Sequence, residues 1–139
     1  MSLIDDKRIY IAGKIGSDAA GPRHFRERVL EAGWEILYDW MAAPPIDMAS
    51  DPRVLRQHSD LMLGAVLAAP VVATFYDRGG CGLFIEFGAA ALAALAIAPK
   101  TIYLVGAPDE VSRSIFFYGA AVRWAGSYLE VLEDLGIGV

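Results

Sequence analysis

Short, fully apolar runs alternate along this chain with stretches whose apolar positions recur every three to four residues. "RIYIAG" (8–13) reads as a buried first strand ending in glycine. In "GPRHFRERVLEAGW" Phe25, Val29 and Leu30 share one face and the charges the other, which predicts a helix stopped at Gly33. "WEILYDW" (34–40) alternates as a second strand, and "MAAPPIDMAS" is a Pro-containing loop long enough to carry function. The next helix takes Ser50 or Asp51 as its N-cap and Pro52 as its first residue, with Val54, Leu55, Leu61, Met62, Ala65 and Val66 at helical spacing. "PVVATFY" (70–76) predicts a third strand, with Pro70 at its tolerated first position. "GLFIEFGAAALAALAIA" predicts a helix and "KTIYLVG" (100–106) a fourth strand. A polar stretch (107–114), a short fifth strand near "AVRWAG" and a closing helix in "SYLEVLEDLGI" complete the reading.

Apolar strands alternating with helices predict an α/β three-layer sandwich of the Rossmann or flavodoxin-like kind, around a mostly parallel sheet of four or five strands. The 139 residues are read as one domain, 1–139. In such folds ligands bind beyond the carboxyl ends of the strands, where strand order switches. That singles out Gly13–Ser17, Tyr38–Trp40, Tyr76–Gly82 and Gly106–Glu110.

Composition narrows the classes. The net charge of −5 and pI near 4.9 leave no polybasic footprint for a nucleic-acid polymer. A single cysteine, Cys81, excludes an internal disulfide and fits a reducing cytoplasm, and with two scattered histidines it argues against a zinc site. The longest apolar run, Phe87–Ala98, has 12 residues, too few for a membrane span, and the polar start of the chain shows no signal peptide. A hydrophobic share of 55 % with mean hydropathy +0.40 points to helices buried on several sides or to a face covered in an oligomer.

Within this frame Glu86 is conspicuous: it is the only charged side chain between Arg78 and Lys100, set among glycines and a run of Ala, Leu and Ile that reads as fully buried. In the first or second turn of its helix, the dipole favours an ionised carboxylate. Such a group either serves the helix start or attacks an electrophilic carbon, such as the anomeric carbon of a sugar. The neighbouring glycines 79, 80 and 82 permit close approach of a ligand. Asp60 lies on the polar side of its helix, where an ion pair with Arg56 is the plain alternative to a site role. Tyr10 alone reads as core. "GKIGS" (13–17) has the makings of an anion cradle or of an ordinary strand–helix turn, without Walker A spacing. His24 and His58 fall within predicted helices and read as surface or packing residues.

Taken in order, "RIYIAGKI", "HSDLMLGAVLAAPVVATF" and "GLFIEFGAAL" resemble the nucleoside 2-deoxyribosyltransferase-like family, including its relatives that hydrolyse 2′-deoxynucleoside 5′-monophosphates, over roughly residues 7–105. The resemblance implies cleavage of an N-glycosidic bond through a covalent glycosyl-glutamate. Glu86 would be the nucleophile and Tyr10 its orienting partner, with Asp60 or Asp77 assisting proton transfer. Gly13, Lys14, Ile15, Ser17, Gly80 and Gly82 would approach the ligand, with Trp40 beside Tyr38 and Asp39 framing the base. It implies no metal and no organic cofactor, a small-molecule nucleoside or nucleotide as partner, and a homodimer or larger homo-oligomer assembled through the Ala-rich helix. Two positions depart from the family pattern: Pro70 stands where many members open the third strand with aspartate, and Gly80 where an acidic residue or serine is usual. These departures motivate an alternative, a nucleotide-binding sensor without turnover. "GGCGLFIE" also resembles the "GGxGTxxE" of cytokinin-activating phosphoribohydrolases, which break the same kind of bond.

Overall fold

The computed structural model describes residues 5–13, 20–42, 51–77, 81–107 and 115–138. Five strands, β1 (Arg8–Ala12), β2 (Glu35–Ile36), β3 (Val71–Phe75), β4 (Thr101–Val105) and β5 (Val122–Ala125), form one sheet in the order β2-β1-β3-β4-β5. All neighbours run parallel. The four helices are α1 (Ala20–Glu31), α2 (Pro52–Ala68), α3 (Cys81–Ala96) and α4 (Tyr128–Asp134). This is the flavodoxin-like order, and its switch point lies between β1 and β3.

Each face of the sheet has its own core. Ile9, Ile11, Val71, Ala73, Tyr103 and Val105 pack with Phe25 and Val29 of α1 and Val131 and Leu132 of α4. Tyr10, Ala12, Val72, Ile102 and Leu104 point the other way, onto Val66 of α2 and Phe87 and Ala90 of α3. Thr74 follows the same alternation as Val72 and lies opposite Ala12 in the register.

Local chemistry sets the boundaries. Gly33 ends α1 at φ +85°, a left-handed conformation that glycine adopts without penalty. Asp51 caps α2, accepting from the Arg53 amide at 2.8 Å, with Pro52 as the first helical residue. At the other end of α2 the Lys100 ammonium donates to the carbonyls of Leu67 and Ala69, both at 2.6 Å.

The structure corrects two expectations. The second strand is only two residues long, because Tyr38 turns the chain aside at φ +45° after Leu37 has made its last bond to the Ile9 carbonyl. The run around Glu86 is not fully buried: Leu83, Phe87, Ala90 and Ala93 are buried, while Ile85, Leu92 and Leu95 face outward at 64 %, 65 % and 87 % exposure. A 3-10 helix at Ile115–Tyr118, unforeseen in the sequence, places Phe117 against Phe87 at 5.1 Å between ring centroids. No helix among the described residues is long and apolar enough to cross a membrane.

Candidate active site

Glu86 is the sixth residue of α3 and shares the helix's sheet-facing line with Leu83, Phe87, Ala90 and Ala93. Helical periodicity therefore drives its carboxylate into the second core, where the residue is 6 % exposed. Tyr10, at the middle of β1 and fully buried, reaches into the same space. The two groups perturb each other. Burial pushes the Glu86 carboxyl up to about 7, and the Tyr10 hydroxyl pulls against that rise. Burial first, and the Glu86 charge second, raise the Tyr10 phenol well above its ordinary range.

Proximity is not matched by an aligned hydrogen bond. Tyr10 Oη, Glu86 Oε2 and Thr74 Oγ1 are all buried and make no hydrogen bond among the described residues. An unsatisfied buried polar atom costs about 1–3 kcal/mol, and three on one side of a sheet mark a place where stability has yielded to another requirement. Thr74 escaped the sequence reading; its signal was the only hydroxyl within an otherwise apolar strand. The helix dipole, expected to keep Glu86 ionised, does not prevail. The residue lies beyond the first four helical amides, and desolvation outweighs the helix field.

The turn after β2 forms one wall. Trp40 Nε1 donates to the Ile11 carbonyl at 2.6 Å, and its ring lies against Gly13, where a Cβ would meet Trp40 Cζ2 at 3.6 Å. Asp39 is held in a bidentate pair with Arg26 of α1, at 2.7 Å for the shortest contact, which ties the turn to α1. The Tyr38 hydroxyl bonds His58 Nδ1 of α2, and the Tyr38 phenol lies close enough to Tyr10 to add to its upward shift.

The remaining expected residues divide. Asp60 is exposed on the solvent side of α2 and makes no ion pair with Arg56 or any other described residue. Asp77 is half-buried just past the carboxyl end of β3. Gly82 is exposed in the first turn of α3 with open space where a side chain would stand. Lys14, Ile15, Ser17 and Gly80 lie outside the described residues. Among the described residues no three His, Cys, Asp or Glu gather where they would hold a metal ion.

The candidate site thus lies beside the β1–β3 switch of a flavodoxin-like α/β sandwich, where a buried carboxyl and phenol adjoin a core that Trp40 packs against. The CMP N-glycosidase BcmB of Clostridium botulinum shares this fold: TM-score 0.57 and 17 % identity, covering 94 % of this chain and 100 % of that one. A conserved protein from Enterococcus faecalis is similar to the same degree, with TM-score 0.58, 15 % identity and coverage of 94 % and 97 %. No family model matches the chain, and no curated protein matches it.

Proposed function

We propose that this protein cleaves the N-glycosidic bond of a nucleoside or nucleoside 5′-monophosphate, by hydrolysis or by transfer to another base. The observation that carries the reading is the isolated Glu86 carboxyl, buried beside Tyr10 at the switch point. Its fold likeness to a CMP N-glycosidase supports the same class of substrate.

In the proposed reaction a Glu86 oxygen attacks the anomeric carbon, and the C1′–N bond breaks with its electron pair leaving on the base. Water or a second base then attacks the same carbon and releases Glu86. Tyr10 holds the carboxylate and favours its ionised form, the direction in which the hydroxyl already acts. Trp40, Gly13 and Gly82 frame the ligand, and the family pattern adds Lys14, Ile15, Ser17 and Gly80 to them. An acid must also protonate the leaving base; of the two aspartates suggested by the family pattern, Asp77 is half-buried just past β3 and Asp60 is exposed on α2. The carboxylate supplies the covalent step, so the proposed chemistry calls on no metal or organic cofactor.

Chromatography of ribo- and deoxyribonucleosides and their 5′-monophosphates after incubation with the protein tests this reading. Wild type should release free base and Glu86→Ala should release none while retaining its fold. Full activity in the variant would remove Glu86 from the mechanism.

A second reading, a sensor that binds nucleotides without turning them over, draws on the carboxyl's pull toward its neutral form, a weak nucleophile. Thermal stabilisation by a nucleotide with no product from any substrate would favour it. For either reading we propose a homo-oligomer assembled through the outward apolar line of α3.

A further inference from the structure

α2 has one inward line, a turn at a time: His58, Met62 and Val66, of which Met62 and Val66 are buried and His58 half-buried. Asp60, two residues on from His58, lies about 200° around the helix and faces solvent. His58 is therefore the titratable group on the inward line of α2, two turns before Val66, which packs in the core with Tyr10. Its partner, Tyr38, lies close enough to Tyr10 to add to the upward shift of the Tyr10 phenol. Its Nδ1 is engaged by the Tyr38 hydroxyl, the two rings meeting edge to face at 6.0 Å between centroids. Tyr38 is held for this contact by a left-handed backbone at φ +45°, uncommon for an aromatic residue and sustained only where surrounding structure over-determines it. The neighbouring Asp39–Arg26 and Trp40–Ile11 bonds supply that determination. Four elements thus converge in sequence: His58 from α2, Tyr38 from the turn after β2, Tyr10 from β1 and Glu86 from α3.

We propose that His58, oriented by Tyr38, is the proton donor to the leaving base and the proton acceptor for the incoming water, the role that the family-like pattern gives to an acid at Asp60. The inference rests on the proposed N-glycosidic cleavage. With Nδ1 occupied by Tyr38, Nε2 is the ring nitrogen left to exchange a proton, and it makes no hydrogen bond among the described residues. In the first step the imidazolium Nε2–H passes its proton to the base nitrogen that receives the C1′–N electron pair, while Glu86 bonds to C1′. In the second, neutral His58 takes a proton from water as the water oxygen bonds to C1′ and the Glu86–C1′ bond breaks. Both residues return to their starting states.

The test compares two leaving groups on one sugar 5′-phosphate: the nucleotide that wild type cleaves best, and the corresponding p-nitrophenyl glycoside, whose leaving group departs without protonation. His58→Gln should lower kcat/KM for the nucleotide by about 10²–10³-fold and for the p-nitrophenyl glycoside by less than about threefold. Tyr38→Phe should show the same selectivity at about tenfold, and circular dichroism should show both variants folded. Equal losses on both substrates would reduce His58 to a structural role and overturn the inference while leaving the N-glycosidase reading intact. A leaving-group-dependent loss in Asp77→Asn, rather than in His58→Gln, would overturn it in the same way. A wild-type protein that cleaves neither substrate overturns both readings together.

Discussion

The Tyr10 phenol, rising from the middle of β1, and the Glu86 carboxyl, coming down from the second turn of α3, share one buried space in which neither Tyr10 Oη nor Glu86 Oε2 is hydrogen-bonded. Burial disfavours the charged form of both groups, and the nearby Tyr10 hydroxyl offsets only part of that cost for Glu86. That relationship has consequences for stability and for rate.

Glu86 titrates near 7 in the folded chain, against about 4.5 in the unfolded one, so the fold favours the protonated carboxyl. The native state then binds more protons than the unfolded state between those values. The group's contribution is fully present below about pH 4.5 and is lost as pH rises through 7, by on the order of 3 kcal/mol. Glu86→Gln, which stays neutral, should gain about 1–3 kcal/mol over wild type at pH 8 and little at pH 5. Urea unfolding of both proteins at the two pH values measures the difference; an equal gap at both would remove the carboxyl's charge as the cause.

If the ionised carboxylate is the nucleophile, kcat/KM for base release should fall below an apparent pKa near 7. The Tyr10 hydroxyl lowers the carboxyl's pKa, so Tyr10→Phe should move this limb to higher pH. The variant's loss at pH 6 should then exceed its loss at pH 9 by roughly tenfold. A pH–rate profile of the two proteins decides, and an unmoved limb would separate Tyr10 from the nucleophile.

Thr74 Oγ1 is buried without a partner among the described residues, at the carboxyl-end half of β3 on the Tyr10 side of the sheet. Replacing it by valine removes an unsatisfied hydroxyl at nearly constant volume and should stabilise the protein by about 1 kcal/mol. The same change should weaken substrate binding if the hydroxyl serves the ligand. Thermal melts beside KM measurements test the trade; a destabilised Thr74→Val protein would mean that the hydroxyl is satisfied in solution.

The outward line of α3 borders a groove of about 540 Å³ lined by Phe84, Phe87, Leu92, Leu95, Phe116 and Phe117, with Phe87 next to Glu86 in the chain. A second copy seated on this line would cover the apolar stripe and close the site from outside. Light scattering after size exclusion should give a multiple of 15.0 kDa for wild type and a monomer for a Leu92→Lys, Leu95→Lys double variant. A monomeric wild type would exclude the assembly.

Much of the fold was legible in order and position. The runs at 8–13, 70–76 and 100–106 became β1, β3 and β4 within a residue at each end, and the Asp51–Pro52 start of α2 is where capping chemistry predicts it. Asp60 was legible too, as a residue on a polar helix face. His58 was legible as a surface or packing residue, but its partner Tyr38, twenty residues earlier, was not, because the pairing depends on how the turn after β2 meets α2.

What the chain alone determined is a set of elements and one anomalous carboxylate. Which way the chemical groups face was decided only in the assembled structure. β1 is apolar at every position after Arg8, and α3 is apolar nearly all round, so neither carries a polar face from which orientation can be read. Packing chose for them. The sheet's two layers sent Ile9 and Ile11 toward α1 and α4 and Tyr10 toward α3, and the helix settled with Leu83, Phe87 and Ala90 inward. Glu86 lies on that same line, and its burial follows from the neighbours' gain in leaving water, which outweighs the carboxylate's loss.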